Sequence, residues 1–224
     1  MRKILVLGCL GALSLALLQS AMAGDFEIVA RDKLDYPATA LIPRDATVHQ
    51  RTLTRTAHAH WGLDAPVATM AAQIHQESRW HVGARSPVGA EGLAQFMPAT
   101  SEWFARINPQ DLTTAQPFNP AWSMRALVLY DAWNYKRIVA RDNCNRWSFT
   151  LSAYNGGLGW VQRDQALASA SGADGLVYSA VAPFNAGRSA ASISENRHYV
   201  TTIIQRWQPL YEQAGWGRGV CYEF

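Results

Sequence analysis

Residues 71–100 read AAQIHQESRWHVGARSPVGAEGLAQFMPAT, and here a helical pattern gives way to a glycine-rich stretch. Apolar residues lead into it at helical spacing, namely Val67, Met70, Ala71 and Ile74. The next positions of this stripe hold Glu77 and Ser78. A carboxyl group on the core-facing side of a helix loses hydration, which raises its pKa and favours a protonated group that can donate a proton. The alternative is that Glu77 is a solvated residue in the last turn, beside Arg79.

The first 23 residues have the features of a secretory signal peptide. Arg2 and Lys3 precede the apolar residues 4–18, and Ala21-Met22-Ala23 fits a cleavage site between small residues. The apolar run is too short and too close to that site to be a membrane span. We therefore expect cleavage after Ala23, export of the remaining 201 residues, and no membrane span in the mature chain.

The charge of the mature chain argues against two classes of partner. Without the leader, 18 basic and 17 acidic residues remain, which gives a net charge of +1. Only Lys33 and Lys136 remain as lysines, and no basic run is longer than Lys136-Arg137. Binding to nucleic acid and attachment to a membrane through a polybasic patch therefore have no electrostatic support.

Cys144 and Cys221 are the two cysteines of the mature chain. An oxidising compartment favours a disulfide between them, and two separate buried thiols are the alternative. His58 and His60 lie two residues apart and point to different sides of a helix. Because no cysteine or histidine spacing typical of zinc sites is present, we predict no metal and no cofactor.

Helix signals dominate the chain from residue 47 onward, and strand signals are nearly absent, which predicts a mainly α fold of eight or fewer helices. The predicted segments are residues 47–61, a helix capped by Asp64 with Pro66 in its first turn and ending near Ser78, residues 94–107, a helix from Pro120 capped by Asn119, and residues 147–154, 158–169 and 192–211. Residues 79–92 and 170–190 are predicted loops. Residues 24–46 are predicted to form an arm with little regular structure, followed by one domain over residues 47–224.

Three further motifs contain polar residues that suit ligand binding. The segment GAEGLAQFMPAT places Gln95 beside a glycine-rich turn, where its amide can bind polar groups. SAYNGG ends a helix in Tyr154-Asn155-Gly156-Gly157, whose glycines permit positive φ or close approach. SISENRHYV contains Ser192 and Glu195 at the spacing of a capping box, with Tyr199 one turn later. Each motif alone also fits an ordinary turn, cap or core residue.

Together and in this order, the motifs Glu-Ser, Gly-Leu-x-Gln-x-Met-Pro-x-Thr, Ala-Tyr-Asn-Gly-Gly and Glu-x-Arg-x-Tyr-Val resemble the soluble lytic transglycosylase family. The resemblance covers roughly residues 55–210 and implies a helical domain like goose-type lysozyme. The implied substrate is the peptidoglycan glycan strand, cleaved between N-acetylmuramic acid and N-acetylglucosamine. By this resemblance Glu77 is the catalytic acid and base, and the substrate-binding residues are Ser78, Gln95, Tyr154, Asn155 and Tyr199.

The sequence departs from the family pattern at two positions. Ala94 stands where the family often has methionine, which implies a less bulky cleft wall, and Asn196 stands where it often has threonine. Trp80 and Glu195 are further candidate cleft residues. For Trp80 the alternative is plain core packing, and for Glu195 it is the capping box.

The resemblance also explains why a single carboxyl group can suffice. Glu91 and Glu102 match no motif position, whereas most glycosidases use two carboxyl groups. In the family, the muramic 6-hydroxyl attacks its own anomeric carbon, and the product is a 1,6-anhydro sugar. A hydrolytic goose-type lysozyme and a catalytically silent peptidoglycan-binding protein on the same fold are the alternatives. We expect a periplasmic location, with a secretion or conjugation apparatus as a further partner.

Overall fold

Helices form the regular structure in the computed structural model, which describes residues 38–222. Helices α1 to α10 span, in order, Arg44–Thr47, Gln50–Trp61, Val67–Ser78, Pro98–Ile107, Pro120–Tyr135, Asn143–Gly156, Leu158–Ala170, Tyr178–Val181, Ala190–Thr201 and Gln208–Gln213. A 3-10 helix, Ala38–Leu41, precedes α1, and a π-helical segment, Thr202–Trp207, joins α9 to α10. Within residues 38–222 the β-structure is limited to two isolated bridges, both at Glu91. The predicted mainly α fold is confirmed, whereas the prediction of eight or fewer helices is wrong, because residues 38–222 contain ten α-helices, two of them only four residues long.

Packed structure begins before the predicted domain boundary at residue 47. Residues 38–46 belong to the predicted arm, yet they form short helices and bury Ile42 and Ala46 in the core. The signal peptide predicted for residues 1–23 lies outside the described residues. None of the helices in the described part of the chain has the length and apolar character needed to cross a membrane.

Helix α3 is a core helix in which every residue from Val67 to His75 is buried. It packs against the π-helical segment and α10 on one side and against α2 on another. Its start differs from the prediction, because Pro66 occupies the cap position and no side chain caps the helix. Asp64 instead accepts a hydrogen bond from Arg218 at 3.0 Å in an exposed pair.

The chain turns sharply after α3 because Arg79 and Trp80 adopt left-handed backbone conformations, with φ of 51° and 66°. This turn directs Trp80 into the core, where it is fully buried. Its Nε1 donates a hydrogen bond to the Tyr211 hydroxyl at 2.5 Å, and its ring packs against Trp216. The prediction that Trp80 faces the cleft is therefore wrong. Trp80 anchors the end of α3, and with it the position of Glu77.

The loop between α3 and α4 depends on a glycine. Gly92 has φ of 73°, and a Cβ there would lie 1.7 Å from the Pro117 carbonyl oxygen, so no larger residue fits. Gln95 also has positive φ, 48°, which interrupts helical geometry. Helix α4 consequently begins at Pro98 and not at the predicted Ala94. Proline suits this first position because its missing N–H has no partner there in any helix.

Capping side chains set the starts of α5 and α6. Asn119 caps α5 as predicted, since its side-chain oxygen accepts two backbone N–H groups of the first turn. Asp142 caps α6 by accepting the N–H of Asn145 at 2.8 Å. Helix α6 therefore runs over Asn143–Gly156 and is longer than the predicted 147–154.

The last predicted helix, 192–211, is three segments in the structure. Ser189 caps α9 by accepting the N–H of Ser192 at 3.1 Å, so the predicted capping box of Ser192 and Glu195 is wrong. The helix widens into the π-helical segment just before Pro209, which lacks the N–H that a continuous α-helix would use. The predicted loop 170–190 also contains the short helix α8.

The structure contains the predicted disulfide between Cys144 and Cys221, which are 77 residues apart. It joins the first turn of α6 to the C-terminal segment. That segment also returns to α3, where the Ala68 N–H donates to the Arg218 carbonyl at 3.0 Å.

Candidate active site

A cavity of about 550 Å³ lies between the C-terminal ends of α3 and α6, the loop 79–97, and α9. Its lining combines carboxyl, amide and phenol groups with apolar side chains. Six residues that the sequence analysis singled out line it, namely Glu77, Gln95, Tyr154, Asn155, Glu195 and Tyr199. Side chains that are distant along the chain thus meet around one space.

Glu77 lies in the last turn of α3, and its Oε1 accepts a hydrogen bond from the Tyr199 hydroxyl at 2.5 Å. Burial raises the pKa of Glu77 to about 8, because the charged form loses hydration. The Tyr199 hydrogen bond acts in the opposite direction, and the negative charge of Glu195 raises the pKa further. Glu77 is therefore largely protonated at neutral pH and can donate a proton into the cavity.

Two tyrosines, the buried Tyr199 and the partly buried Tyr154, lie beside Glu77. Tyr199 donates to Glu77, and the Tyr154 hydroxyl donates to the Ala94 carbonyl at 2.7 Å. Burial and the nearby Glu77 carboxyl raise the pKa of both phenols well above the usual value, so both remain hydrogen-bond donors. Ala94 is fully buried, and its N–H donates to Ser123 Oγ at 3.1 Å. Ala94 therefore supports Tyr154 and does not form the cavity wall that was predicted.

The loop 79–97 is tied together by Gln95 and Ser78. The Nε2 of Gln95 donates to the carbonyls of Gly92, at 2.8 Å, and Ala84, at 3.3 Å. Its Oε1 has no hydrogen-bond partner among residues 38–222, so it can accept one from a ligand. Ser78 does not line the cavity, because its Oγ donates to the Leu93 carbonyl at 2.8 Å. Ser78 thus fastens the end of α3 to the loop.

A comparison with known proteins accounts for this arrangement. Residues 55–177, more than half of the chain, match the family model of the Transglycosylase SLT domain. The chain belongs to this family. The matched range contains Glu77, Gln95, Tyr154 and Asn155, whereas Glu195 and Tyr199 follow it in sequence.

Two curated relatives of the SLT domain are named as transglycosylases. The chain is 29% identical over 145 residues to the soluble lytic murein transglycosylase of Escherichia coli (strain K12), covering 64% of this chain and 20% of the relative. It is 33% identical over 107 residues to the membrane-bound lytic murein transglycosylase F of Pasteurella multocida (strain Pm70), covering 47% of this chain and 20% of the relative. The chain thus spans about a fifth of the length of the curated relatives it matches.

Two solved structures share the fold of the SLT domain. An inactive mutant of the lytic transglycosylase Slt from Pseudomonas aeruginosa superimposes with a TM-score of 0.58 at 23% identity, over 79% of this chain and 26% of that one. The 70 kDa soluble lytic transglycosylase from Escherichia coli gives a TM-score of 0.57 at 23% identity, over 76% and 25%. The lysozyme-like fold implied by the sequence motifs is confirmed.

Asn196, the second departure from the family pattern, organises the wall between α6 and α9 of the SLT domain. Its Nδ2 donates to Asn155 Oδ1 at 2.8 Å and to the Ser152 carbonyl at 2.9 Å. Ser152 Oγ in turn donates to Asn196 Oδ1 at 2.7 Å. A Cβ at Gly156 would lie 2.8 Å from Asn196 Nδ2, so the glycine is needed for this approach. The amide fixes Asn155 in the cavity wall.

The sequence analysis missed a second buried carboxyl group in the SLT domain. Asp131 on α5 is fully buried, and its Oδ1 accepts a hydrogen bond from Gln73 Nε2 at 3.3 Å. Burial raises the pKa of Asp131 well above the usual value. The hydrogen bond from Gln73 lowers the pKa, and the negative charge of Glu77 raises it further. Asp131 interrupts the apolar stripe of α5 just as Glu77 interrupts that of α3, so the same signal was present in the sequence.

The histidines of the SLT domain do not form a metal cluster in the described part of the chain. Within residues 38–222, no group of three or more His, Cys, Asp or Glu side chains is placed to hold a metal ion. His75 is a core residue that hydrogen-bonds Tyr211 at 2.9 Å and stacks on Trp207. Burial lowers its pKa to about 4, which keeps the ring neutral.

Proposed function

We propose that this SLT domain cleaves the β-1,4 bond between N-acetylmuramic acid and N-acetylglucosamine in peptidoglycan, with Glu77 as acid and then as base. The observation that carries the proposal is the Glu77 carboxyl in the cavity lining, which accepts a hydrogen bond from Tyr199 and whose pKa burial raises to about 8. An ordinary glutamate is ionised at neutral pH and cannot donate a proton. Family membership and the names of the relatives support murein as the substrate.

The proposed reaction needs only one carboxyl group. Glu77 transfers its proton to the bridging oxygen as the bond from that oxygen to C1 breaks, and the 2-acetamido carbonyl stabilises the charge at C1. The muramic 6-hydroxyl oxygen then bonds to C1, and its proton returns to Glu77. The products are a 1,6-anhydromuramic end and a free 4-hydroxyl. Because nucleophile and electrophile belong to one sugar, proximity lowers the barrier by up to ~7–11 kcal/mol in well-oriented cases.

The neighbours of Glu77 have distinct proposed roles. Tyr199 stabilises the carboxylate that exists between the two proton transfers, since hydrogen bonds to charged groups are the stronger ones. Asn155 Oδ1 accepts a hydrogen bond from Asn196, so Asn155 Nδ2 remains to donate to a sugar acetamido group. Gln95 complements it with a free Oε1. Together the two amides bind the acetamido groups that distinguish this glycan.

Product analysis on purified sacculi tests the acid role. Glu77→Gln is expected to lower turnover by roughly 10²–10⁴-fold, because the amide cannot donate a proton as an acid. The matched control is Glu102→Gln, which removes an exposed glutamate from α4 and should leave turnover unchanged. Glycan binding should persist in both variants. Full turnover by Glu77→Gln would remove Glu77 from this role.

Hydrolysis by a lysozyme-like route is the second candidate, and Glu195 is the observation that favours it. Its exposed carboxylate lines the same cavity and is close enough to raise the pKa of Glu77. A carboxylate in that place can activate a water. Mass spectrometry separates the routes, because hydrolysis gives reducing ends and transglycosylation gives anhydro ends. Glu195→Gln should abolish hydrolysis, whereas it should preserve anhydro product formation.

A silent peptidoglycan-binding protein would bind sacculi without releasing new ends of either kind. The same digestion therefore decides this alternative as well.

For the cellular setting, we propose action in the periplasm after removal of residues 1–23. There the enzyme would open the wall locally for a secretion or conjugation apparatus. The signal-peptide pattern supports export, and local wall opening follows from glycan cleavage. A deletion strain should then assemble such an apparatus poorly. Normal assembly of every envelope-spanning machine in that strain would contradict the proposal.

A further inference from the structure

A second cavity, of about 460 Å³, adjoins the one that contains Glu77. Asn155, Gly156 and Glu195 line both, so the two cavities share a wall. The remainder of the second cavity is formed by Trp160 on α7 and by residues at the start of α9. The proposed cleavage reaction assigns no role to that remainder.

Two arginines and one aspartate form a buried cluster at this cavity. The side chains of Arg188, Arg197 and Asp164 are only 5%, 17% and 1% exposed. Asp164 Oδ2 accepts hydrogen bonds from both guanidinium groups, and its Oδ1 accepts the Ala186 N–H at 2.9 Å. The aspartate is therefore fully hydrogen-bonded, and it sets one negative charge against two positive charges.

The two arginines differ in how they use their donors. Arg197 directs all of its nitrogens to protein groups, namely Asp164, Asn196, Ser152 and two backbone carbonyls. The side chain of Arg188 bonds only Asp164, through Nη2, among residues 38–222. Its Nε is buried without a partner. Its Nη1 also lacks one and lies 3.0 Å from where a Cβ at Gly156 would be. A buried cation with unused donors is costly unless an anion completes its surroundings.

Other groups around the second cavity also suit an anion. The Trp160 ring lies 3.9 Å from the Arg163 guanidinium and 5.8 Å from that of Arg188, measured to the ring centroid. Helix α9 begins here behind Ser189, and the N-terminus of a helix favours negative charge. Glu195 on the shared wall opposes an anion. Among the charged groups named here, three guanidinium groups outnumber two carboxylates, namely Arg163, Arg188 and Arg197 against Asp164 and Glu195.

We propose that the second cavity binds a carboxylate carried by the glycan substrate, with Arg188 as the residue that recognises it. The proposal deepens the proposed function and rests on it for the identity of the glycan. A muramic acid bound beside Glu77 carries its substituent next to the shared wall. That substituent presents a carboxylate either on the bare lactyl group or on an attached stem peptide. Arginine suits both, because its planar fork pairs with carboxylates in two parallel hydrogen bonds.

Calorimetric binding to the Glu77→Gln protein tests the proposal with three tetrasaccharides. One carries stem peptides, one is stripped to the free lactyl carboxylate, and one is stripped with the carboxylates converted to methylamides. At least one carboxylate chain should bind roughly tenfold more tightly than the amide chain. The chain that does so identifies the source of the carboxylate. Equal affinity for all three chains, or no binding of any, would overturn the proposal.

Variants of Arg188 in the same protein localise the effect. Arg188→Gln should remove the preference, with roughly tenfold weaker binding of the carboxylate chain and unchanged binding of the amide chain. Arg188→Lys keeps the charge without the fork and should retain part of the preference. Arg106→Gln, which removes an exposed arginine from α4, is the matched control. An equal loss for all chains would show that Arg188 only supports the fold.

The comparison of the three tetrasaccharides uses only the Glu77→Gln protein. It therefore tests carboxylate binding even if Arg188→Gln fails to fold. The outcome is also separable from that of the proposed cleavage. Binding that depends on the carboxylate, together with sacculi that stay intact in the wild-type protein, would reject the cleavage and leave this inference standing. Cleaved sacculi with no carboxylate effect would reject this inference alone.

Discussion

The carboxyl of Glu77 is surrounded by groups that act on its pKa in opposite directions. Burial and the charge of Glu195 raise the pKa, and the hydrogen bond from Tyr199 lowers it. The resulting value of about 8 is far above that of a solvated glutamate. The proton that the proposed reaction needs is thus present at neutral pH, and each neighbour offers a way to shift the balance.

Glycan cleavage is expected to slow as pH rises through about 8, because Glu77 must be protonated to act. Tyr199→Phe removes the hydrogen bond that favours the carboxylate, so the fall of activity with rising pH should move to higher pH. Glu195→Gln removes a repelling negative charge, so the fall should move to lower pH. Profiles of kcat/KM against pH measure both shifts. A fall that stays at the same pH in both variants would speak against this account of Glu77.

Glu77→Gln is expected to stabilise the protein at neutral pH. The folded pKa of about 8 lies above the ordinary 4.5, so the group's contribution to stability is complete below pH 4.5 and is lost progressively as pH rises from 4.5 to about 8. Glutamine does not ionise and escapes this loss. We expect a gain in unfolding free energy on the order of 3 kcal/mol at pH 7 relative to pH 4. Urea denaturation at both pH values measures it, and an equal effect at the two would contradict burial of the carboxyl.

At the scale of elements, local signals predicted some boundaries and tertiary contacts decided others. Asn119 with Pro120 fixed the start of α5 correctly, because a cap and its helix are neighbours in sequence. The left-handed backbone conformations at Trp80 and Gln95 could not be predicted, because neither residue is a glycine and packing of the loop imposes both conformations. Ser189 and Ser192 are both good caps, so sequence alone could not choose between them. Side chains near α9 whose partners lie far away in sequence were not predicted either, because the local sequence does not reveal such partners.

The candidate site was predicted better than the helix ends. Six residues placed by motif order meet in one cavity, because a motif preserves contacts that spacing alone does not reveal. Asp131 and Arg188 belong to no motif used in the analysis, and each is recognisable only once its buried partner, Gln73 or Asp164, is seen beside it.

Gly92→Ala is expected to disturb the loop that carries Gln95. The new Cβ meets the Pro117 carbonyl oxygen at 1.7 Å, and the positive φ adds strain. We expect a loss of at least ~1–3 kcal/mol of stability together with a loss of glycan cleavage. Gly89→Ala is the matched control, because φ there is 91° but the space is open. It should show the backbone strain alone, and equal effects of the two substitutions in denaturation would contradict the close approach.

At the scale of the whole molecule, α6 connects two apolar clusters. Trp147 and Leu151 belong to the larger one, which contains α3 and α5. Phe149 and Ala153 belong to the smaller one, which α7 and α8 complete. The cavity at the C-terminal end of α6 therefore lies next to both, and its wall is only as rigid as the attachment of α6 to its neighbours.

Loss of the disulfide is expected to destabilise the whole fold. Its loop of 77 residues corresponds to about 4 kcal/mol on the chain-entropy argument. Cys221→Ser should lower the unfolding free energy by roughly that amount, and thiol labelling of wild-type residues 24–224, which exclude Cys9, should require reductant. Ready labelling of Cys144 and Cys221 without reductant would show that the bridge does not form in solution.

The ring that this bridge closes contains Arg188 and helix α9 with Tyr199, whereas Glu77 lies outside the ring. The part of the cavity wall that carries Tyr199 and Arg188 thus belongs to a covalently closed ring, whereas the helix that carries Glu77 is held by packing and hydrogen bonds. In a reducing cytosol the disulfide would stay open, so the wall opposite Glu77 would be less firmly attached in a newly made chain. Under the export proposed above, oxidation would close the ring in the periplasm, which is the compartment of the proposed glycan cleavage.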